Sequence, residues 1–133
     1  MPDAPAPGSR SEDLVAAWSA YYRRILGEEP RNPGARDYVN EDLRKALDRL
    51  IPADASVLEV GCGRGDLVAS LAPRARAGID FFPEAIAEAQ RRFTEVDFQV
   101  ADIFRDDDGR RFDAVVCDRL CHNVLDVLSL LQR

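Results

Sequence analysis

Residues 57–66 read Val57-Leu58-Glu59-Val60-Gly61-Cys62-Gly63-Arg64-Gly65-Asp66. A short apolar run closes on a carboxylate, and three glycines then fall on alternate positions. The apolar run predicts a buried strand over 57–60. The glycines predict a tight turn whose backbone approaches a ligand without side-chain clash. A helix over 66–71 follows, and its first N–H groups would point back at the same place. The three pieces together make a ligand cradle.

The rest of the chain repeats this rhythm. Ala75–Asp80 predicts a second strand, and Pro83 suits the first position of a helix over 83–92. Val96, Phe98 and Val100 alternate with Asp97 and Gln99 as a third strand. A polar loop over 105–111, with a turn signal at Asp108-Gly109, precedes a fourth strand over 112–117. Val124, Leu125, Leu128 and Leu131 share one face of a helix predicted over 123–131.

Two helices lead the cradle. Leu14, Trp18, Tyr21, Tyr22 and Ile25 recur at helical spacing behind a capping-box pattern at Ser9 and Glu12, and Gly27 ends the run. Residues 28–37 read as a polar loop. Asn40 then caps a helix whose expected buried stripe is Leu43, Ala46, Leu47, Leu50 and Ile51, and Pro52 stops it. Residues 1–10, rich in proline, read as a disordered leader, and 11–133 as one domain. The order predicts an α/β fold: a Rossmann-like parallel sheet of about four strands with two leading helices.

Every predicted strand ends on or beside an acid: Glu59, Asp80, Asp102 and Asp118. In a parallel sheet these ends share one rim, where ligands of such folds bind. A dinucleotide fingerprint would be Gly-x-Gly-x-x-Gly. Here the third glycine comes one residue early, and Glu59 would repel a pyrophosphate but attract a cationic head.

Val57–Leu67 resembles motif I of the class I S-adenosylmethionine-dependent methyltransferases. Gly78-Ile79-Asp80-Phe81 with Pro83-Glu84-Ala85-Ile86, then Val100-Ala101-Asp102-Ile103, then Phe112-Asp113-Ala114-Val115-Val116, are similar to the motifs that follow, in order, over about residues 40–131. The resemblance implies S-adenosylmethionine as cofactor, held by Glu59, Gly61, Cys62, Gly63, Gly65, Asp80, Phe81, Asp102, Ile103 and Asp118. Glu59 and the glycine backbone would hold the methionine end. Asp80 would take both ribose hydroxyls. Asp102 would take the adenine amine, with the ring between Phe81 and Ile103. It implies methyl transfer to an acceptor that the sequence does not identify. Candidates for a general base are Asp118 and His122, the only histidine, whose plainer reading is a capping or surface residue. Tyr21 and Tyr22 read either as a lid over the cofactor or as packing of the leading helix.

Residues 117–127, with Ile51-Pro52, resemble methyltransferase domains that precede family-2 glycosyltransferases, which implies a small-molecule, glycan or lipid-linked acceptor. Against the full seven-stranded family fold, the chain supplies four strands, so the expectation is a domain truncated at its C-terminus. Two other readings stay open: a cofactor-binding or interaction module without catalysis of its own, and an NAD-dependent enzyme.

Composition narrows the remainder. A net charge of −6 argues against a nucleic-acid partner. No apolar run is long enough to predict a membrane span. Three cysteines, Cys62, Cys117 and Cys121, in a chain without signal-peptide order, suggest free thiols and a cytoplasmic setting. Cys117, Cys121 and His122 lack a fourth ligand for a closed zinc site, so no metal is expected. The fourth strand, an apolar edge, is a surface for self-association.

Overall fold

The computed structural model describes residues 16, 19–20, 23–24, 33–107 and 109–118, in two compact units, 1–36 and 37–133. In the first unit, Ala16, Ser19, Ala20, Arg23 and Arg24 are helical. Tyr21, Tyr22, His122, Cys121 and the helix expected over 123–131 lie outside the described residues. The second unit contains the sheet.

Helix α1 spans Pro33–Leu50. It begins well before the expected cap, so Asn40 lies in its interior. Proline pre-sets the helical φ at a first position, and an interior asparagine costs only a few tenths of a kcal/mol, so Pro33 decides the start (about 0.7 kcal/mol at most for an ordinary residue). The buried stripe is narrower than expected. Leu43 and Leu47 pack on the core and Ile51 is buried beyond the helix end, whereas Ala46 is exposed and Leu50 is 77% exposed. Asp48 fastens the helix: Oδ2 accepts from Arg44 at 2.7 Å, and Oδ1 accepts the Ala72 N–H at 2.9 Å.

Strand β1 spans Ser56–Val60, helix α2 Asp66–Ser70, β2 Ala75–Asp80, α3 Pro83–Arg92, β3 Asp97–Val100 and β4 Ala114–Val116. All strand pairs are parallel, in the order β3-β2-β1-β4. The register sets Glu59 beside Gly78 and Val116, and Asp80 beside Val100. Side chains alternate across a sheet, so Val57, Glu59, Gly78, Asp80, Phe98 and Val116 share one face.

That face carries the core. Leu67 and Val68 of α2, and Ile86 and Ala89 of α3, join Val57, Phe98 and Val116 in one buried cluster. The right-handed crossover rule explains the layout. Steps from β1 to β2 to β3 run one way across the sheet, which places both helices on one face. The return from β3 to β4 runs the other way and uses the opposite face. Ala101, Ile103, Asp106, Asp107 and Arg110–Phe112 accordingly join Leu58, Val60, Ile79, Gln99 and Val115 around a groove of about 610 Å³.

β4 is shorter than the 112–117 run predicts. Just ahead of it, Asp113 Oδ2 accepts the N–H and Oγ–H of Ser56 at 2.8 and 2.9 Å, and Ser56 Oγ accepts the Asp113 N–H at 3.0 Å. This clip replaces ladder bonds at the strand's entry. Val100, expected inward, is exposed at the end of β3, which pairs only with β2 among the described residues. None of the described helices is long and apolar enough to cross a membrane.

Candidate functional site

The three glycines of the turn all take left-handed backbone: φ is 73° at Gly61, 54° at Gly63 and 80° at Gly65. Their reasons differ. A Cβ on Gly63 would meet nothing within 4 Å, so this position borders open space. A Cβ on Gly65 would lie 2.4 Å from Phe98 Cζ and 3.2 Å from the Ala89 Cβ. The third glycine therefore makes room for an internal ring, not for a ligand. Gly78 does the same from β2, where a Cβ would lie 2.8 Å from the Phe98 ring and 2.9 Å from Cys62 Sγ.

The turn hangs from the end of β2. Gly61 and Cys62 donate their N–H groups to the Ile79 carbonyl at 2.8 and 3.1 Å. Gly63 donates to Asp80 Oδ2 at 2.9 Å, and Gly65 to the Cys62 carbonyl at 2.9 Å. Four of the five N–H groups of 61–65 are thus spent inside the fold. Each carbonyl of the turn has two acceptor sites, of which Cys62 spends one on the Gly65 N–H and Gly65 one on the Ala69 N–H. A polyphosphate needs free donors, as at a dinucleotide-binding turn. This turn offers acceptors, and so suits a cation that donates.

The helix behind the turn spends one of its first N–H groups on an acid. α2 is five residues long, and its Val68 N–H donates to Glu59 Oε2 at 3.1 Å. Glu59 is 4% exposed, so the motif carboxylate is buried and caps α2 from the neighbouring strand. Arg76 of β2 closes the other end, where Nη1 donates to the carbonyls of Ala69 and Leu71. An acid at the N-terminus and a base at the C-terminus complement the helix dipole. The short helix is clamped by both strands beneath it.

Asp80 lies at the centre. Its Oδ1 accepts the Phe82 N–H at 3.0 Å while Oδ2 holds Gly63. Burial pushes its carboxyl above the usual value of 3.8, and the backbone donors at Phe82, Gly63 and Phe81 pull against that. A carboxylate has about four acceptor sites, so capacity remains beyond these donors. Cys62 reports the local potential: burial, then the charges of Glu59 and Asp80, push its thiol far up. Its side chain is buried, with Sγ beside the Gly63 carbonyl at 3.8 Å, so any ligand contact at Cys62 is through its backbone.

The other expected residues lie at the strand ends around this centre. The Ala101 N–H donates to the Asp80 carbonyl at 3.0 Å, which sets Asp102 just past the end of β3. Asp102 Oδ1 accepts the Phe104 N–H at 2.9 Å, and Oδ2 faces Arg105 Nε at 3.7 Å. Ile103 lines the groove of the opposite face, and Phe81 is half-buried after β2. Asp118 is half-buried past β4. Hydrogen bonds thus tie Gly61, Cys62, Gly63 and Gly65 to one another and to the end of β2 at Ile79 and Asp80, while Glu59 ties β1 to α2 through Val68. Sequence reasoning missed Ile79, whose carbonyl takes two turn N–H groups, and Phe98, which fixes two glycines. A carbonyl carries no sequence signal; Phe98 stood only as a strand residue. No cluster of three metal-ligating side chains occurs among the described residues.

The family profile described as methyltransferase domain matches residues 57–133, more than half of the chain. A bifunctional methionine biosynthesis protein, MetXA/MetW, from Rhodopirellula baltica is 28% identical over 138 residues, covering 89% of this chain and 22% of the relative. The N-methyltransferase NodS from Bradyrhizobium japonicum, solved with S-adenosyl-L-homocysteine, aligns with a TM-score of 0.64 at 25% identity, over 89% of this chain and 63% of its own. The sugar N-methyltransferase KedS8 from a Streptoalloteichus species aligns with a TM-score of 0.57 at 26% identity, over 98% and 48%. The chain thus spans about a fifth of the curated relative and less than two thirds of either solved enzyme.

Proposed function

Because the chain belongs to the methyltransferase domain family, we propose that it binds S-adenosylmethionine at the glycine turn and serves methyl transfer. The observation that carries this reading is the donor inventory of residues 61–65. With the N–H groups of Gly61, Cys62, Gly63 and Gly65 committed, the turn presents carbonyls beside the buried Glu59 and the half-buried Asp80. That chemistry fits a ligand with an ammonium and a sulfonium, and it disfavours NAD.

The carbonyls of the turn, in the field of Glu59, take the ammonium end. Asp80 accepts the ribose hydroxyls on its remaining lone pairs; hydrogen bonds to a charged acceptor contribute about 1.5–3 kcal/mol each. Asp102 and Ile103, after β3, and Phe81, after β2, serve the adenine. Cys62 contributes only backbone. When bound, the cofactor supplies an electrophilic methyl group. The chain's own part is to hold and orient it, and alignment of this kind accounts for about 7–11 kcal/mol of a barrier at best. Asp118 and His122 remain the candidates for a proton acceptor.

Two neighbours described as N-methyltransferases, one of them acting on a sugar, support a small-molecule or glycan acceptor. The second reading is an interaction module. β4 pairs only with β1 among the described residues, and Val115 is 59% exposed beside the open groove, which supports self-association there. Titration calorimetry with S-adenosylhomocysteine tests the cofactor reading. Wild type binds and Asp80→Ala loses at least tenfold in affinity; equal affinity of the two removes Asp80 from the site. Sedimentation of the unliganded chain tests the second.

A further inference from the structure

We propose that Asp80 is a positioning residue for the glycine turn as well as a ligand contact: its carboxylate holds Gly63 in place before any ligand arrives. The inference rests on the cofactor reading for its ligand, but its main observation is independent of one. Gly63 sits at φ 54° with open space where a Cβ would be, so no side-chain packing fixes it. Its neighbours are tied to the Ile79 carbonyl, and Gly65 is locked by Phe98 and Ala89. The shown anchor of Gly63 is the 2.9 Å bond from its N–H to Asp80 Oδ2. The other oxygen of the same carboxylate takes the Phe82 N–H at 3.0 Å, at the entry to α3. One side chain therefore joins the turn after β1 to the turn after β2.

Glu59, the buried acid near the turn, accepts the Val68 N–H of α2. Cys62, the third titratable group there, is a buried thiol bonded locally to the Gly63 carbonyl. Arg64, within the turn, is half-buried. A residue that only contacts ribose would leave the ligand-free turn unchanged when replaced. A positioning residue would not.

The experiment has two arms on the 133-residue chain. In the first, amide NMR of the ligand-free protein follows Gly63. Its amide proton moves with the titration of a single carboxylate in wild type, loses that movement in Asp80→Asn, and exchanges with solvent at least tenfold faster there. In the second, calorimetry compares S-adenosylhomocysteine with its 2′,3′-dideoxy analogue. Asp80→Asn weakens both, the analogue by about fivefold, because the turn is loosened even where no diol is read. A Gly63 amide insensitive to pH in wild type overturns the proposal without any variant. So does an analogue that binds Asp80→Asn as tightly as wild type. A wild type that binds neither ligand sinks the cofactor reading alone, and the NMR arm still decides the positioning role.

Discussion

Replacing Gly65 by alanine isolates the packing that fixes the turn. Two costs add. A non-glycine residue at φ 80° is strained by about 1–2 kcal/mol. The new methyl would also lie 2.4 Å from Phe98 Cζ and 2.7 Å from Cε1, and overfilling a packed core costs about 1–3 kcal/mol. Phe98 cannot yield easily, because it is buried and its ring also abuts Gly78. Alanine restricts the unfolded chain and returns about 0.4–1 kcal/mol. The net expectation for Gly65→Ala is a loss of about 1–4.6 kcal/mol. Gly63→Ala is the control. It carries the same kind of backbone strain at φ 54° but meets open space, so its net loss is about 1 kcal/mol or less. Urea unfolding followed by far-ultraviolet circular dichroism measures both. A double-mutant cycle with Phe98→Leu assigns the excess: in that background Gly65→Ala costs little more than Gly63→Ala. If Gly65→Ala costs no more than Gly63→Ala with Phe98 present, the packing explanation of the third glycine is wrong.

Three further outcomes follow from the same geometry. Glu59→Ala leaves the buried Val68 N–H without its acceptor and costs about 1–3 kcal/mol, whereas Glu59→Gln keeps an oxygen and costs less; equal losses in urea unfolding would mean that charge, not acceptance, is what α2 needs. The bonds from the Ser56 N–H and hydroxyl hold Asp113 below its usual value of 3.8. A lowered acid contributes stability that is present above the unfolded value and lost as pH falls through the folded one, so Asp113→Asn flattens the acid limb of stability below about pH 4; an unchanged limb contradicts this. Burial and the charges of Glu59 and Asp80 keep the Cys62 thiol protonated, so mass-mapped alkylation of the native chain spares its peptide at neutral pH and modifies it only in denaturant; rapid native labelling would refute the inward orientation.

The sheet was legible because its signals are local. Val57–Val60 and Ala75–Asp80 are short, mostly apolar runs with an acid at or next to their last residue, and Pro83 marks a helix start; the structure matches each to within a residue. The start of α1 was misread because two local signals competed. Asn40 followed by acids is a good cap, but Pro33 suits a first helical position further back, and pattern alone does not rank the two. Val100 and Leu50 were misplaced because burial depends on what covers a face, and alternation says only which residues share one. In the site, the acids could be read as a set because each closes a strand. What sequence could not give is their partners. Glu59 spends its shown bond on Val68, Asp80 holds Gly63, and Asp102 caps its own turn through Phe104. Those bonds depend on side-chain directions that spacing does not encode. The glycine spacing pointed away from a dinucleotide, and the physical reason emerged only with Phe98 lodged against Gly65.

On the proposed reading, a turn with four of its five N–H donors spent, beside the buried Glu59 and the half-buried Asp80, selects a cationic adenosyl ligand over a dinucleotide. Parallel calorimetric titrations of the wild-type chain with S-adenosylmethionine and with NAD, at one ionic strength, test it most directly. The account predicts saturable one-to-one binding of S-adenosylmethionine and no measurable heat of binding for NAD. NAD binding as tight as or tighter than S-adenosylmethionine would contradict it.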